Sequence, residues 1–406
     1  REVLKVGENI YYQHAQTKGI QIGNQYSNNI STALRANPLI PVFNSNGDYF
    51  SYNDFKASGT SPTGWFSYNQ YSSNPEYLLT MTQGANNKSR NMNLNAVGYV
   101  EISPWKGFKY RGQIDYKSYA SSWKGMTKAY KINDSSDGQQ ASTSLTQNET
   151  LGWNWGTTHT FNYVFDVSKH HFDALFGMEY SREGNNMGDY MQATATGFMF
   201  DPNGLDYAYL RNFTDRSKAT VDGTPASNDH SLMSYFGRIN YNWNETYMLT
   251  AILRADGSSN FAKGHRWGWF PSFSAGWVVT NEKFMEKTRS WLDYLKLRTS
   301  WGQNGNENIG QFMYTGTFAF GSDGLYSFNN DKESGTQGGY PTRLPNPDIT
   351  WETSEQFDAG FDARFLRQRL NLTFDYYVKK TKDLLLSVPI PPENGFSSNV
   401  QNAGTV

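Results

Sequence analysis

Residues 108–118 read Phe108-Lys109-Tyr110-Arg111-Gly112-Gln113-Ile114-Asp115-Tyr116-Lys117-Ser118. Side chains along an extended chain point alternately to two faces. One face therefore carries Phe108, Tyr110, Gly112, Ile114 and Tyr116, and the other Lys109, Arg111, Gln113, Asp115 and Lys117. This is a ribbon with one apolar and one polar side, and its period of two is the strand period. The same alternation returns at Leu151, Trp153 and Trp155, and again at Phe161, Tyr163, Phe165 and Val167, with Gly152, Asn154, Gly156, Thr160, Asn162 and Asp166 between. Further runs lie at 94–102, 172–180, 235–241, 247–255, 271–279, 295–301, 357–365 and 370–378. Most exceed the roughly 5–6 residues of an ordinary globular strand.

The connections carry a second regularity. Links at 103–107, 168–170, 242–246 and 366–369 are short, while those at 120–148, 184–230 and 303–349 are long. The links at 257–266 and 281–293 are intermediate, and a further loop begins at Lys382. In an antiparallel meander this alternation gathers the tight turns at one end and the large loops at the other. Transmembrane β-barrels have that asymmetry. One helical stretch interrupts the strands at 281–292, where Phe284, Met285, Thr288, Trp291 and Leu292 share a face; a short surface helix inside a turn is expected there.

Composition agrees with a barrel and removes other classes. The chain has 406 residues, 16% aromatic and only 18% charged, with net charge −1. Its mean hydropathy is −0.70. Neutral charge without a basic cluster argues against nucleic acid as a partner. No cysteine is present, which removes disulfides, thiolate metal sites and cysteine nucleophiles. No uncharged apolar run reaches the ~18 residues of a membrane-spanning helix. Low hydropathy beside abundant rings makes sense if alternate residues face lipid and water. Trp105, Trp243, Tyr247, Trp267 and Trp291 fall near predicted strand ends, where rings settle at a lipid headgroup boundary. A soluble β-sandwich or carbohydrate-binding β domain would alternate too, but with shorter strands and smaller apolar side chains.

Chemistry-bearing motifs are few. Asn133-Asp134-Ser135-Ser136-Asp137-Gly138 starts like a calcium loop but has Ser144 at the position that needs an acid; it reads as a turn. His170 and His171 are adjacent on a strand, so they point to opposite faces and cannot share one metal ion there. No phosphate loop, His-Glu-x-x-His or nucleophile elbow occurs, so neither an enzyme nor a cofactor is expected. Aromatics mixed with amides in the long loops suit sugars or peptides. Trp65, Tyr68, Tyr190 and Tyr207 are the candidate cargo contacts. Lys109, Arg111, Asp115, Arg254 and Asp256, on polar faces, are the candidate lumen residues.

Several blocks form a recognisable set: Arg254-Ala255-Asp256-Gly257-Ser258-Ser259-Asn260-Phe261; Trp267-Gly268-Trp269-Phe270-Pro271-Ser272-Phe273-Ser274-Ala275-Gly276-Trp277; Leu295-Lys296-Leu297-Arg298-Thr299-Ser300-Trp301-Gly302-Gln303-Asn304-Gly305; and Asn346-Pro347-Asp348-Ile349-Thr350-Trp351-Glu352. In this order and spacing they resemble the barrel of the SusC/RagA family of TonB-linked outer-membrane transporters of Bacteroidetes. Asn37-Pro38-Leu39-Ile40-Pro41-Val42, Asp375-Tyr376-Tyr377 and Thr381-Lys382-Asp383 are similar to that family as well. The resemblance implies a barrel of 22 strands importing oligosaccharides or peptides, a SusD-like surface lipoprotein as lid, and energy from the TonB complex. It also implies a plug inside the barrel, against which the five lumen candidates would lie. Residues 1–406 would then be one barrel segment holding about half of those strands, with the plug domain and the closing strands outside it. A half-barrel would leave two open edges in lipid, which is prohibitive, so other parts of the same protein are expected to close it. A barrel of this kind retained as a scaffold in a larger outer-membrane complex is the other reading.

Overall fold

In the computed structural model the alternation resolves into one antiparallel meander. The structure describes residues 3–19, 87–131, 139–140, 142–184, 190–196, 205–212, 220–224, 229–326, 336–391, 393 and 395–406, with 34, 41–47, 50 and 54 besides. Among them, eleven strands follow one another as spatial neighbours in chain order. These are β1 (Leu4–Thr17), β2 (Asn87–Ile102), β3 (Phe108–Thr127), β4 (Ser144–Val167), β5 (His170–Gly184), β6 (His230–Trp243), β7 (Tyr247–Ser258), β8 (Trp267–Val278), β9 (Leu292–Asn306), β10 (Glu352–Phe365) and β11 (Leu370–Lys382).

The register keeps two faces separate across the whole sheet. Lys109, Asn162, Leu175 and Arg238 lie opposite one another on β3 to β6, on the face that also carries Arg111, Asp115, Arg254 and Asp256. The other face carries Ile10 opposite Ala96, Tyr116 and Trp155, and farther round Leu249, Ala275, Leu297 and Phe361. On this second face the large apolar side chains stand open: Ile114 is 58% exposed and Phe273 55%. Such a surface needs an apolar medium over it. Rings mark both limits of the band. Trp243, Tyr247 and Trp277 lie at the turn end and Trp267 at the loop end. Trp267 and Trp277, ten residues apart on β8, span about 33 Å of strand, or about 25 Å of height at a barrel's usual tilt, which is the thickness of an outer-membrane apolar band.

The short connections are tight. Gly107 has φ +86, and a Cβ there would collide with the Val164 carbonyl oxygen, so this turn requires glycine. Asn244 and Glu245 take φ 50 and 53, two left-handed residues that reverse the chain within the three-residue link 244–246. The turn between β10 and β11 places Leu366, Arg367 and Gln368 all at positive φ. It is held by the Leu366 N–H on the Trp291 carbonyl at 3.0 Å and the Gln368 N–H on an Asp293 carboxylate oxygen at 2.9 Å.

The buried cores sit at the opposite end. Phe261, Phe270, Ile349 and Trp351 form one, with Leu232, Ile309, Met313, Leu385 and Val400 against it. Phe270 and Leu232 belong to the polar face of the sheet, so residues from the long loops fold over that face and identify it as the inside. A second, smaller core joins Met126, Leu145 and Ala208.

Two sequence expectations change. The strand Leu4–Thr17 was not anticipated, because Glu8 and His14 break its outward apolar row. The 281–292 stretch is not an α-helix but two 3₁₀ segments, Val279–Asn281 and Lys283–Thr288. Beyond them the chain enters β9 at Leu292, and Trp291 stacks on Phe365 at the end of β10, 6.1 Å between ring centres. The strands also exceed their predicted limits at the loop end, with β3 at 20 residues and β4 at 24.

Candidate luminal site

All five lumen candidates lie on the inner face, in two groups. Near the 103–107 turn, Lys109 Nζ sits 3.3 Å from Glu101, which Arg111 also approaches at 4.0 Å. Arg111 donates to Gln113 at 3.1 Å and lies over the Tyr99 ring at 4.1 Å. Asp115 is on the same strand face, opposite Gly156 and Val97. The second group is nearer the loops. Arg254 Nε donates to Asp256 at 2.8 Å, its Nη2 donates to the buried Ser234 hydroxyl at 3.0 Å, and Glu179 lies 3.8 Å away.

Sequence reading missed three further inner-face clusters. Asp173 accepts from Asn162 at 2.6 Å and from Arg238 at 3.2 Å. Arg298 bridges Asp362 at 3.2 Å and Asp375 at 2.6 Å. His230 lies 3.5 Å from Glu183 and 3.4 Å from Glu307, which ties the 307 loop to β5 and β6. Each joins residues from different strands, so only register reveals it. His170 and His171 do diverge as their adjacency demands: His170 meets the Tyr241 hydroxyl at 2.8 Å on the outer face, and His171 meets Asp166 at 2.6 Å on the inner.

At the loop end, a cleft of about 980 Å³ opens between the inner ends of β3 to β5 and the 309–317 segment. Lys117, Tyr119, Glu183, Gln311, Phe312 and Arg343 line it. The Gln311 Oε1 is buried and accepts no hydrogen bond among the described residues. Mixed charge, amide and ring surface can hold a polar ligand in a directed way.

Trp65 and Tyr68 lie outside the described residues, as does the 133–138 turn. Tyr190 begins a loop strand, Tyr190–Thr196, which pairs with Thr220–Thr224 and with the start of β4. Tyr207 ends a 3₁₀ turn whose neighbours Leu205 and Ala208 pack on Met126 and Leu145. Met126 and Leu145 belong to the outward rows of β3 and β4, so this turn docks outside the wall. Lys88 holds it through Asp206 at 3.1 Å, and that bond keeps the Asp206 carboxyl below its ordinary range. Asp229 is held low in the same way by its hydrogen bond from Arg182, 2.6 Å away.

Long antiparallel strands, an apolar outside, an ionic inside and loops at one end define the wall of a transmembrane β-barrel. A family model described as TonB dependent receptor-like, beta-barrel, matches residues 34–406. TonB-dependent receptor P26 of Formosa agariphila is 29% identical over 407 residues, covering 99% of this chain and 37% of that protein. TonB-dependent receptor SusC of Bacteroides thetaiotaomicron is 29% identical over 403 residues, covering 93% of this chain and 36% of that protein. The solved structure of the RagAB peptide transporter superposes on the whole chain with TM-score 0.72 at 24% identity, over 41% of its own chain. The chain belongs to the TonB dependent receptor-like β-barrel family, whose barrels lie in the outer membrane. It spans well under half the length of these relatives.

Proposed function

We propose that this chain is part of the wall of a SusC-like importer that takes up oligosaccharides or peptides. A SusD-like lipoprotein would act over the long-loop end, and the TonB complex would supply energy through a plug in the lumen. The observation carrying this reading is the inner cleft at the loop end, lined by Lys117, Glu183, Gln311 and Arg343. Cargo entering from the loop side reaches that cleft before the ionic clusters nearer the turns. Lys109, Arg111, Asp115, Arg254 and Asp256 then serve as contacts for the plug, which rests on a charged, hydrated wall and can move when pulled. Trp65, Tyr68, Tyr190 and Tyr207 remain proposed cargo or lid contacts, Tyr207 from the outer side. The names of the relatives support the same reading, one being a TonB-dependent receptor SusC and another a peptide transporter.

The test uses the full-length protein in detergent with a panel of oligosaccharides and peptides, followed by calorimetry. One cargo class should bind, and Gln311→Ala with Lys117→Ala should weaken it about tenfold or more, the scale of two lost polar contacts. Binding unchanged in the double variant would place the cargo elsewhere. Uptake that persists without TonB would favour the scaffold reading.

A further inference from the structure

The outer face of β1 to β4 changes character in successive cross-strand rows. From the turn end, Leu4, Ile102, Tyr110 and Phe161 form one row, and nearer the loops Ile10, Ala96, Tyr116 and Trp155 form another. Both are apolar. His14, Met92, Ala120 and Leu151 come later, then Gln16, Arg90, Ser122 and Glu149, then Lys88, Lys124 and Gln147. Lipid-facing rows thus give way within two steps to a row with a guanidinium and a row with two ammonium groups. A cavity of about 450 Å³ opens at this boundary, because Ala120 is short between Met92 and Leu151 and Ser122 is short between Arg90 and Glu149. That volume lies within the roughly 300–1,000 Å³ of ligand sites.

The charges there are unequally matched. Lys88 is neutralised by Asp206 at 3.1 Å, and Lys124 lies over the Tyr209 ring at 5.0 Å. The Arg90 side chain is exposed and forms no side-chain hydrogen bond or ion pair among the described residues, although its charge also acts on Asp206. Glu149 is in the same row two strands away and forms no ion pair with it. A guanidinium at the upper rim of an apolar notch suits a phosphate whose remainder is hydrocarbon. The notch lies at the long-loop end, which in barrels of this kind faces outward from the cell.

We propose that this notch binds a phosphorylated lipid of the outer leaflet. Its phosphate lies on Arg90 with Lys124 beside it, an acyl chain runs over Met92, Ala120 and Leu151, and Glu149 accepts from hydroxyl or amine groups of the same headgroup. The site does not depend on transport; it needs only the barrel in its membrane.

Native mass spectrometry of the detergent-solubilised full-length protein tests this with three probes: monophosphorylated lipid A, its dephosphorylated form, and inorganic phosphate. Wild type should hold the phosphorylated lipid about tenfold more tightly than the dephosphorylated one, the scale for cationic side chains at an anionic surface. Arg90→Gln with Lys124→Gln should abolish that preference. Ala120→Trp, which fills the notch without touching a charge, should weaken both lipids. Equal binding of the two lipids by wild type, needing no variant at all, overturns the proposal. So does displacement of the lipid by inorganic phosphate at equal concentration, which would make this an anion site only.

Discussion

The two ends of this sheet solve the same problem differently. At the turn end, links of a few residues close the strands, rings ride on the outside, and the apolar side chains are left for lipid to cover. At the loop end, the chain covers its own apolar groups: Phe261, Phe270, Ile349 and Trp351 come from three separate segments and bury one another. The Trp351 indole N–H donates to the Arg266 carbonyl at 2.9 Å, while Asn402 donates to the Thr350 and Asp383 carbonyls at 2.9 Å each. The lower end is thus stabilised by its solvent and the upper end by packing. The band should respond to changes of face, and the loop end to changes of volume.

The largest effect should come from the loop end. Trp351→Ala in the full-length protein removes the centre of the knot and should cost about 3–5 kcal/mol. Limited proteolysis should then cut the loops while the strands of the band stay protected. Loss of band protection at the same time would mean the two ends are not separately stabilised. In the band, Leu253→Arg places a charge on the lipid face near mid-height and should cost about 2–4 kcal/mol. Its neighbour Ile252→Arg, pointing inward, should stay within about 0.5 kcal/mol; urea-induced unfolding in lipid vesicles distinguishes them. At the turn end, Arg367→Gly relieves one of three left-handed residues and should stabilise by about 1 kcal/mol, read as a higher unfolding midpoint.

The smallest effect is a pH dependence at the docked 205–212 segment. The Asp206 carboxyl is held below its ordinary range by Lys88. Its contribution is therefore complete above the ordinary carboxylate range and fades as pH falls through the lowered value. Hydrogen-exchange protection factors at 205–212, corrected for the intrinsic rate at each pH, should fall on acidification, and Asp206→Asn should flatten that response.

The fold was largely legible because a barrel writes its faces into alternate residues, and Phe108 to Ser118 displays them without a break. Strand β1 escaped because Glu8 and His14 sit on its outward row. The upper ends of β3 and β4 escaped for a physical reason: above the lipid both faces meet water, so Ser121, Ser122 and Glu149 carry no apolar signal. The five lumen candidates were readable as a face, yet their partners were not, since Arg254 finds Ser234 and Glu179 only through cross-strand register. The cleft was invisible for a similar reason. Gln311 and Lys117 are almost two hundred positions apart and meet only when the loop folds inward.

The register itself constrains how such a protein can vary. Ten successive strand pairings show a single shift, between Leu292 and Tyr294. Adding or deleting one residue inside a strand would exchange inside and outside for everything beyond it on that strand. Length changes are therefore tolerable only in the loops, and the strands can change only by substitution. New cargo preferences should arise mainly by lengthening and shortening the long connections, on a wall whose residue count stays fixed.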